Sequence, residues 1–287
     1  MGLINWLKKL ACVRVEKPLQ SGATTDQIKE FLANVRPMDL LVFRSSDVVS
    51  QLISDMQNRQ VGHGEVSHVE IAITREWCPR IEEIRAITGE IDNDKTLFAW
   101  GSTLSGPLND NVSDAESGGT TFGVQIRVLA DLVREYLNNP GANIGVCRLI
   151  NNPTVKLESE SAADYISRSL ELKNKIATAY DVYNGRMYDV NPLALLGSIF
   201  PSLRPLRAAT DEILKQFINS NEWLFCSEWV AVIYEAIGVI DDSTDGIVDG
   251  RTLNPKDVLP VDFIGGETDH DGIIKPICEL PPRWVKN

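Results

Sequence analysis

The sequence predicts an α+β fold in which a mostly antiparallel sheet packs against helices. Strand-like runs cluster in the first half of the chain, and segments with helical spacing lie before and after them. At 287 residues and 43% hydrophobic content, the chain can bury a sizeable core, as one large domain or two small ones. No internal repeat and no sharp domain boundary is visible. Residues 1–35 read as an amphipathic, helical N-terminal extension, and residues 36–287 as the main domain with a helical insertion at about 151–220.

In chain order, the opening stretch "MGLINWLKKLACVRV" fails as a targeting signal because Lys8 and Lys9 interrupt its apolar run. Gly2 does not complete a myristoylation motif, since Trp6 stands where Ser or Thr is needed. A lipoprotein reading of "KLAC" fails on Lys9. The stretch fits an amphipathic helix that docks Leu3, Trp6, Leu7 and Leu10 on this protein or on a partner protein. Peripheral membrane attachment is the alternative. "TDQIKEFLANV" (25–35) reads as a short helix with an Asp in its first turn. "RPMDLLVFRSSD" leads through a proline into a strand over 40–43, and the spacing of 48, 49, 52, 53 and 56 predicts a helix over 47–59.

"SHVEIAIT" (67–74), "TLFAWGST" (96–103), "FGVQIRV" (122–128) and "NIGVCRLI" (143–150) read as strands, with "LADLVREYL" as a helix between the last two. A Gly/Ser/Asn/Asp-rich loop spans 105–120. Residues 158–180 and 210–220 read as helices, and "NPLALLGSIFPSLRPL" (191–206) as an apolar, proline-bounded insertion. The proline-rich tail reads as mostly extended.

Composition narrows the function classes. Forty acidic against 28 basic residues give a net charge of −12, a field that repels phosphate backbones and argues against nucleic-acid binding. No run of 18 or more apolar residues exists, so no simple membrane-spanning helix is expected. The five cysteines (12, 78, 147, 226, 278) are odd in number, widely spaced and free of any CxxC pair. That argues against a disulfide framework or a zinc site and for a reducing compartment such as the cytoplasm. With only His63, His68 and His270 available, metal chemistry is poorly supplied, and no cofactor is expected.

The candidate chemistry starts at "WLFCSEWVAVIYEAIG" (223–238), which reads as a buried helix with Cys226 at its front edge. Asn221 is a candidate cap, Glu222 and Glu228 lie near the start, and Gly238 stands where a left-handed C-terminal residue is expected. A cysteine there has two readings. It packs as a small hydrophobe, or it sits in a first turn whose unpaired N–H groups and dipole favour the thiolate. The helix alone favours packing.

His68 shifts that balance. It opens a strand on which Val69, Ile71 and Ile73 point to one face, so that His68, Glu70 and Ala72 point to the other. A strand histidine facing a helix-borne cysteine supplies both halves of nucleophilic catalysis: a base for the thiol proton and N–H groups for the oxyanion.

Four segments in this order, 36–47, 67–73, 97–106 ("LFAWGSTLSG") and 225–240 ("FCSEWVAVIYEAIGVI"), resemble the circularly permuted NlpC-type branch of the papain-like superfamily, the YiiX/YebB-like and poxvirus-like proteins. "NPKDVLP" (254–260) resembles a short proline-containing segment that follows the cysteine helix there. The resemblance implies a permuted papain-like fold with Cys226 as nucleophile and His68 as general base. It also implies hydrolysis or acyl transfer on a peptide, amide or lipid acyl substrate.

This sequence departs from the pattern at one point. Relatives carry an imidazole-orienting glutamate on the strand after the histidine strand, and Gly101 stands at or next to that position. Two substitutes are Ser102 and Glu70. Glu70 reads first as a solvated strand carboxylate and only second as the orienting group. Asp39 reads as a turn or cap residue, Glu228 as a complement to the helix dipole, and Tyr180, Tyr183 and Tyr188 as packing residues.

The expected activity is therefore a cysteine hydrolase or acyltransferase, with a lipid-acting enzyme as a variant that uses segment 191–206. The absent glutamate, the apolar insertion and the N-terminal stretch motivate an alternative, a non-catalytic binding or structural component such as a virion protein.

Overall fold

A computed structural model of the protein describes residues 24–44, 66–84, 95–103, 123–137, 142–184, 226–240, 263 and 283–285. Several expectations lie outside the described residues: the amphipathic N-terminal stretch, the helices over 47–59 and 210–220, the apolar segment 191–206, the proline-containing segment 254–260, the cap Asn221, Glu222, His63, His270, Cys12, Cys278 and Tyr188.

The described elements are, in chain order, α1 (Thr25–Asn34), β1 (Leu40–Arg44), β2 (His68–Thr74), a 3-10 turn (Pro79–Ile84), β3 (Leu97–Thr103), β4 (Gly123–Val128), α2 (Leu129–Leu137), β5 (Asn143–Cys147), α3 (Ala162–Tyr183), α4 (Cys226–Ala236) and β6 (Arg283–Val285). The strands form one six-stranded sheet in the order β4-β3-β2-β1-β5-β6. Every neighbouring pair is antiparallel. The protein is thus α+β with an antiparallel sheet.

Local chemistry sets the helix starts. Thr24 caps α1 in a reciprocal box: its hydroxyl accepts from the Gln27 N–H at 3.2 Å, and its own N–H donates to Gln27 Oε1 at 2.7 Å. Ser161 caps α3 by accepting from the Asp164 N–H at 3.1 Å. The strand at the chain's C-terminal end was expected only as extended. It becomes β6 by pairing with β5, Val146 opposite Arg283 and Ile144 opposite Val285.

The sheet is covered on both faces. On one face Val69, Ile71, Ile73, Phe98, Trp100 and Ile126 join Trp229, Val230 and Ile233 of α4 and Ile176 of α3 in the larger core. On the other, Leu41, Phe43, Ala72, Ala99 and Ile144 join Ile28 and Phe31 of α1 and Leu132 and Val133 of α2. The alternation in β2 therefore does not separate a core face from a solvent face, and every β2 residue after His68 is buried.

One turn ties the layers together. Residues Arg36–Asp39 form a tight turn in which Asp39 N–H donates to Arg36 O at 3.1 Å, and Asp39 Oδ2 accepts from the Arg36 N–H at 2.9 Å. Asp39 is thus the expected turn residue. It is also fully buried, where Asn152 Nδ2 donates to it at 3.2 Å, and burial pushes its carboxyl pKa up.

Met38 occupies the third turn position at φ 68°, a left-handed conformation that costs a side-chain-bearing residue about 1–3 kcal/mol. Its surroundings hold it there. The side chain is fully buried in the larger core, its N–H donates to Ala72 O at 2.6 Å, and its carbonyl accepts from Tyr234 Oη–H at 2.9 Å. Tyr234 belongs to α4, so this last bond fixes the helix that carries Cys226 against the β1–β2 pair. Tyr234→Phe leaves the buried Met38 carbonyl without that donor. It is expected to lower the unfolding free energy by about 1–3 kcal/mol in urea titrations.

Candidate active site

Helix α4 begins at Cys226 and is apolar almost all round. Trp229, Val230, Ala231, Ile233 and Tyr234 are fully buried as it packs across β2 and β3. Gly238, at φ 79°, closes its C-terminal end as expected, with the Val239 N–H returning to Tyr234 O at 2.7 Å. Packing the body of the helix on the sheet places its first residue at the end of the sheet where β2 starts.

Cys226 and His68 meet there. The two side chains are hydrogen-bonded, and the backbone N–H groups of Val69 and Ser227 also donate to the sulfur. The His68 side chain is 19% exposed, and its ring lies 5.2 Å, centroid to centroid, from that of Phe43, its partner across β1 and β2. Its Nε2 lies 2.8 Å from Glu70 Oε1. An ionised carboxylate only accepts, so Nε2 carries a proton, which leaves Nδ1 for the sulfur.

The expectation of a solvated Glu70 is corrected. Its side chain is fully buried, because α1 and α2 cover the sheet face on which it stands. Arg127 of β4 forms an ion pair with the same Oε1 and is itself 2% exposed. To reach Glu70 the guanidinium crosses β3. The register sets Ala99 opposite Arg127 and Ile71 opposite Trp100, so one step further along Glu70 faces Gly101.

The two β3 residues along that crossing, Ala99 and Gly101, are small, and the room over Gly101 is already filled. A Cβ built there would lie 2.6 Å from Glu70 Cδ and closer still to Cγ. Gly101 stands where the resemblance placed a glutamate, and the carboxylate that occupies its space comes from the neighbouring strand.

Ser102, the other orienting candidate, is also fully buried, but alternation puts it on the opposite sheet face with Trp100. Glu228 stands in the first turn of α4, the position from which it complements the helix dipole, and is buried there. Tyr180 packs against Trp100, ring centroids 6.0 Å apart, and Tyr183 borders the same core, as expected of packing residues.

Arg127 was missed by sequence reasoning. "GVQIRV" alternates like a strand with one polar face, and only the strand register shows that this face points at Glu70. Among the described residues no three His, Cys, Asp or Glu side chains gather as a metal-binding group.

The electrostatics distinguish Cys226 from other buried thiols. Burial opposes the thiolate, yet the His68 charge and hydrogen bond and the two backbone N–H groups outweigh it, holding the Cys226 pKa below the ordinary thiol value. Burial likewise opposes the imidazolium, but the Cys226 and Glu70 charges prevail and raise His68 to about 10. Glu70 is held below the carboxylate range, its own burial being overcome by Arg127 and then His68. Cys78, buried without such a partner, is pushed up to about 12. The two shifts run in opposite directions, thiol down and imidazole up, and so favour thiolate against imidazolium with a buried carboxylate behind them.

Comparison of the chain with family models, with curated proteins and with solved structures returns no match.

The two opposite shifts generate a test. Iodoacetamide at pH 7 is expected to label Cys226 well before Cys78, as read by peptide mass spectrometry. The Cys226 rate should stay nearly flat up to pH 9, because its proton has already been lost at lower pH. His68→Ala removes the partner charge and should convert that profile to one that rises steeply with pH, as for an ordinary thiol. A wild-type Cys226 rate that climbs through pH 8–9 would sink the ion-pair assignment.

Proposed function

We propose that this chain is a cysteine hydrolase or acyltransferase of the permuted papain-like, NlpC-type architecture, acting at an amide, peptide or acyl-ester carbonyl. The observation that carries the reading is the continuous line Cys226, His68, Glu70 at the N-terminus of a buried helix. The order of these residues along the chain, histidine strand before cysteine helix, agrees with the segments that resemble that family.

The Cys226 thiolate attacks the carbonyl carbon, and the carbonyl electron pair moves onto oxygen. Backbone N–H groups of the first turn of α4 favour that negative charge through the helix dipole. The tetrahedral species collapses as the C–N or C–O bond breaks. The leaving amine or alcohol takes its proton from the His68 imidazolium, and an acyl thioester remains on Cys226. Water or an acceptor hydroxyl or amine then attacks, giving its proton to His68, and the carbon–sulfur bond breaks to restore the thiolate. Glu70 fixes the Nε2–H tautomer and stabilises the imidazolium between the two half-reactions.

The competing reading as a non-catalytic component drew in part on the absence of an orienting carboxylate. Glu70 bonded to His68 removes that ground and favours the enzyme. The acyl-enzyme is the species to look for. Brief exposure to activated peptide, amide and phospholipid acyl donors, followed by acid quench and intact mass measurement, should show one acyl group on Cys226. Cys226→Ala should show none, and His68→Ala should form it about 100-fold or more slowly.

Turnover should give a bell-shaped pH profile. The acid limb falls as the low-pKa Cys226 thiolate is protonated. The alkaline limb falls near pH 10, as the His68 imidazolium loses the proton it donates. Absence of any Cys226 adduct across all three donor classes would overturn the proposal. An adduct with phospholipid donors alone would select the lipid-acting variant.

A further inference from the structure

We propose that Arg127 is a positioning residue of this site: reaching across β3 through the space left by Ala99 and Gly101, it holds Glu70 ionised and in line with His68. The inference rests on the functional reading above and goes one residue further from the reacting atoms.

Observations on three strands agree. Glu70 is fully buried, and its Oε1 takes both the His68 Nε2–H and the Arg127 guanidinium, so the two donors share one carboxylate oxygen. Without the guanidinium, the buried carboxylate would keep only the imidazolium, which the thiolate also claims, and would pick up a proton more readily. A neutral acid would no longer stabilise the imidazolium, and the thiolate would lose its counter-charge in turn.

The route is built for a long side chain. Arg127 stands opposite Ala99, one strand removed from Glu70. At Gly101 the space is closed even to a single methyl by Glu70 itself. Arginine suits the task better than lysine. Its charge is permanent, and its planar fork keeps its direction when desolvated.

A structural role alone, that of neutralising a buried acid, predicts loss of stability and nothing more. The positioning role predicts in addition that the titration of Cys226 moves. The readout is the pH dependence of Cys226 alkylation by iodoacetamide in the full-length protein, with thermal unfolding measured in parallel. Arg127→Gln is expected to move the acid limb upward by roughly one unit or more, which means about tenfold less thiolate at a fixed pH within that limb. Arg127→Lys, which keeps a cation, should recover most of the wild-type profile.

Gly101→Ala leaves Arg127 intact but displaces Glu70, and should shift the limb in the same direction. This variant decides the matter if Arg127→Gln does not fold. Glu70→Gly combined with Gly101→Glu supplies a carboxylate to the same space from β3, and is expected to restore His68-dependent labelling that Glu70→Gly alone loses. Folded Arg127→Gln or Gly101→Ala protein with an unchanged Cys226 profile would overturn this inference while leaving the functional reading intact. A wild-type Cys226 whose labelling ignores His68 would overturn the functional reading itself.

Discussion

The carboxylate of Glu70 is the constraint on which the site depends. An ionised carboxylate removed from water is costly enough that it persists only when paired and hydrogen-bonded, and deleting one partner of such a pair typically costs about 3–5 kcal/mol. Here the partners come from two strands separated by a third. Glu70 and His68 stand on β2, Arg127 on β4, and β3 between them contributes little more than backbone on that face, through Ala99 and Gly101. The pairing therefore requires correct register across three strands. A slip of one residue on β3 would bring Trp100 or Ser102 into the path of the guanidinium.

The charge line also explains how two faces of one sheet can serve one site. Cys226 arrives with α4 on the face of Trp100 and Ile71, whereas Glu70 lies on the face covered by α1 and α2. The sheet would separate them everywhere except at its end. His68 is the first residue of β2 and Cys226 the first residue of α4, so imidazole and thiol meet beyond the strand and the charge line passes round it. The Met38 turn serves the same placement. It holds a left-handed residue in the core because its carbonyl and the Tyr234 hydroxyl anchor α4 against the β1–β2 pair.

What the sequence made legible follows the strength of local signals. Hydrophobic period and end signals identified α1, β1 to β5, α2, α3 and α4 with bounds that shifted by only a few residues. Cys226 and His68 stood out because each sits at the start of its element. Glu70 did not, since strand alternation shows only that it points away from Val69 and Ile71. Whether a helix covers that second face is a tertiary fact. The same limit hid Arg127, whose chemistry exists only through the register of β4 on β3. It also hid β6, whose three residues have no pattern of their own and become a strand by pairing with β5.

Cys78 and Cys226 show what the surroundings add to burial. Both are buried thiols among described residues, and burial, the largest influence, pushes the first up to about 12. Cys226 departs in the opposite direction because an imidazolium and two backbone N–H groups face its sulfur. That imidazolium is favoured first by the Cys226 sulfur and then by the Glu70 carboxylate, which in turn is held ionised first by Arg127 and then by His68. Under the positioning role proposed for Arg127, proton affinity at the sulfur is tuned from three side chains away. The strand that supplies the carboxylate is secondary to the space it fills. Glu70 and Gly101 are cross-strand neighbours, and a side chain rooted at either position would enter the same volume between His68 and Arg127. A motif defined by position finds no glutamate at Gly101, whereas the charge arrangement that the proposed chemistry needs is present, reached from the next strand.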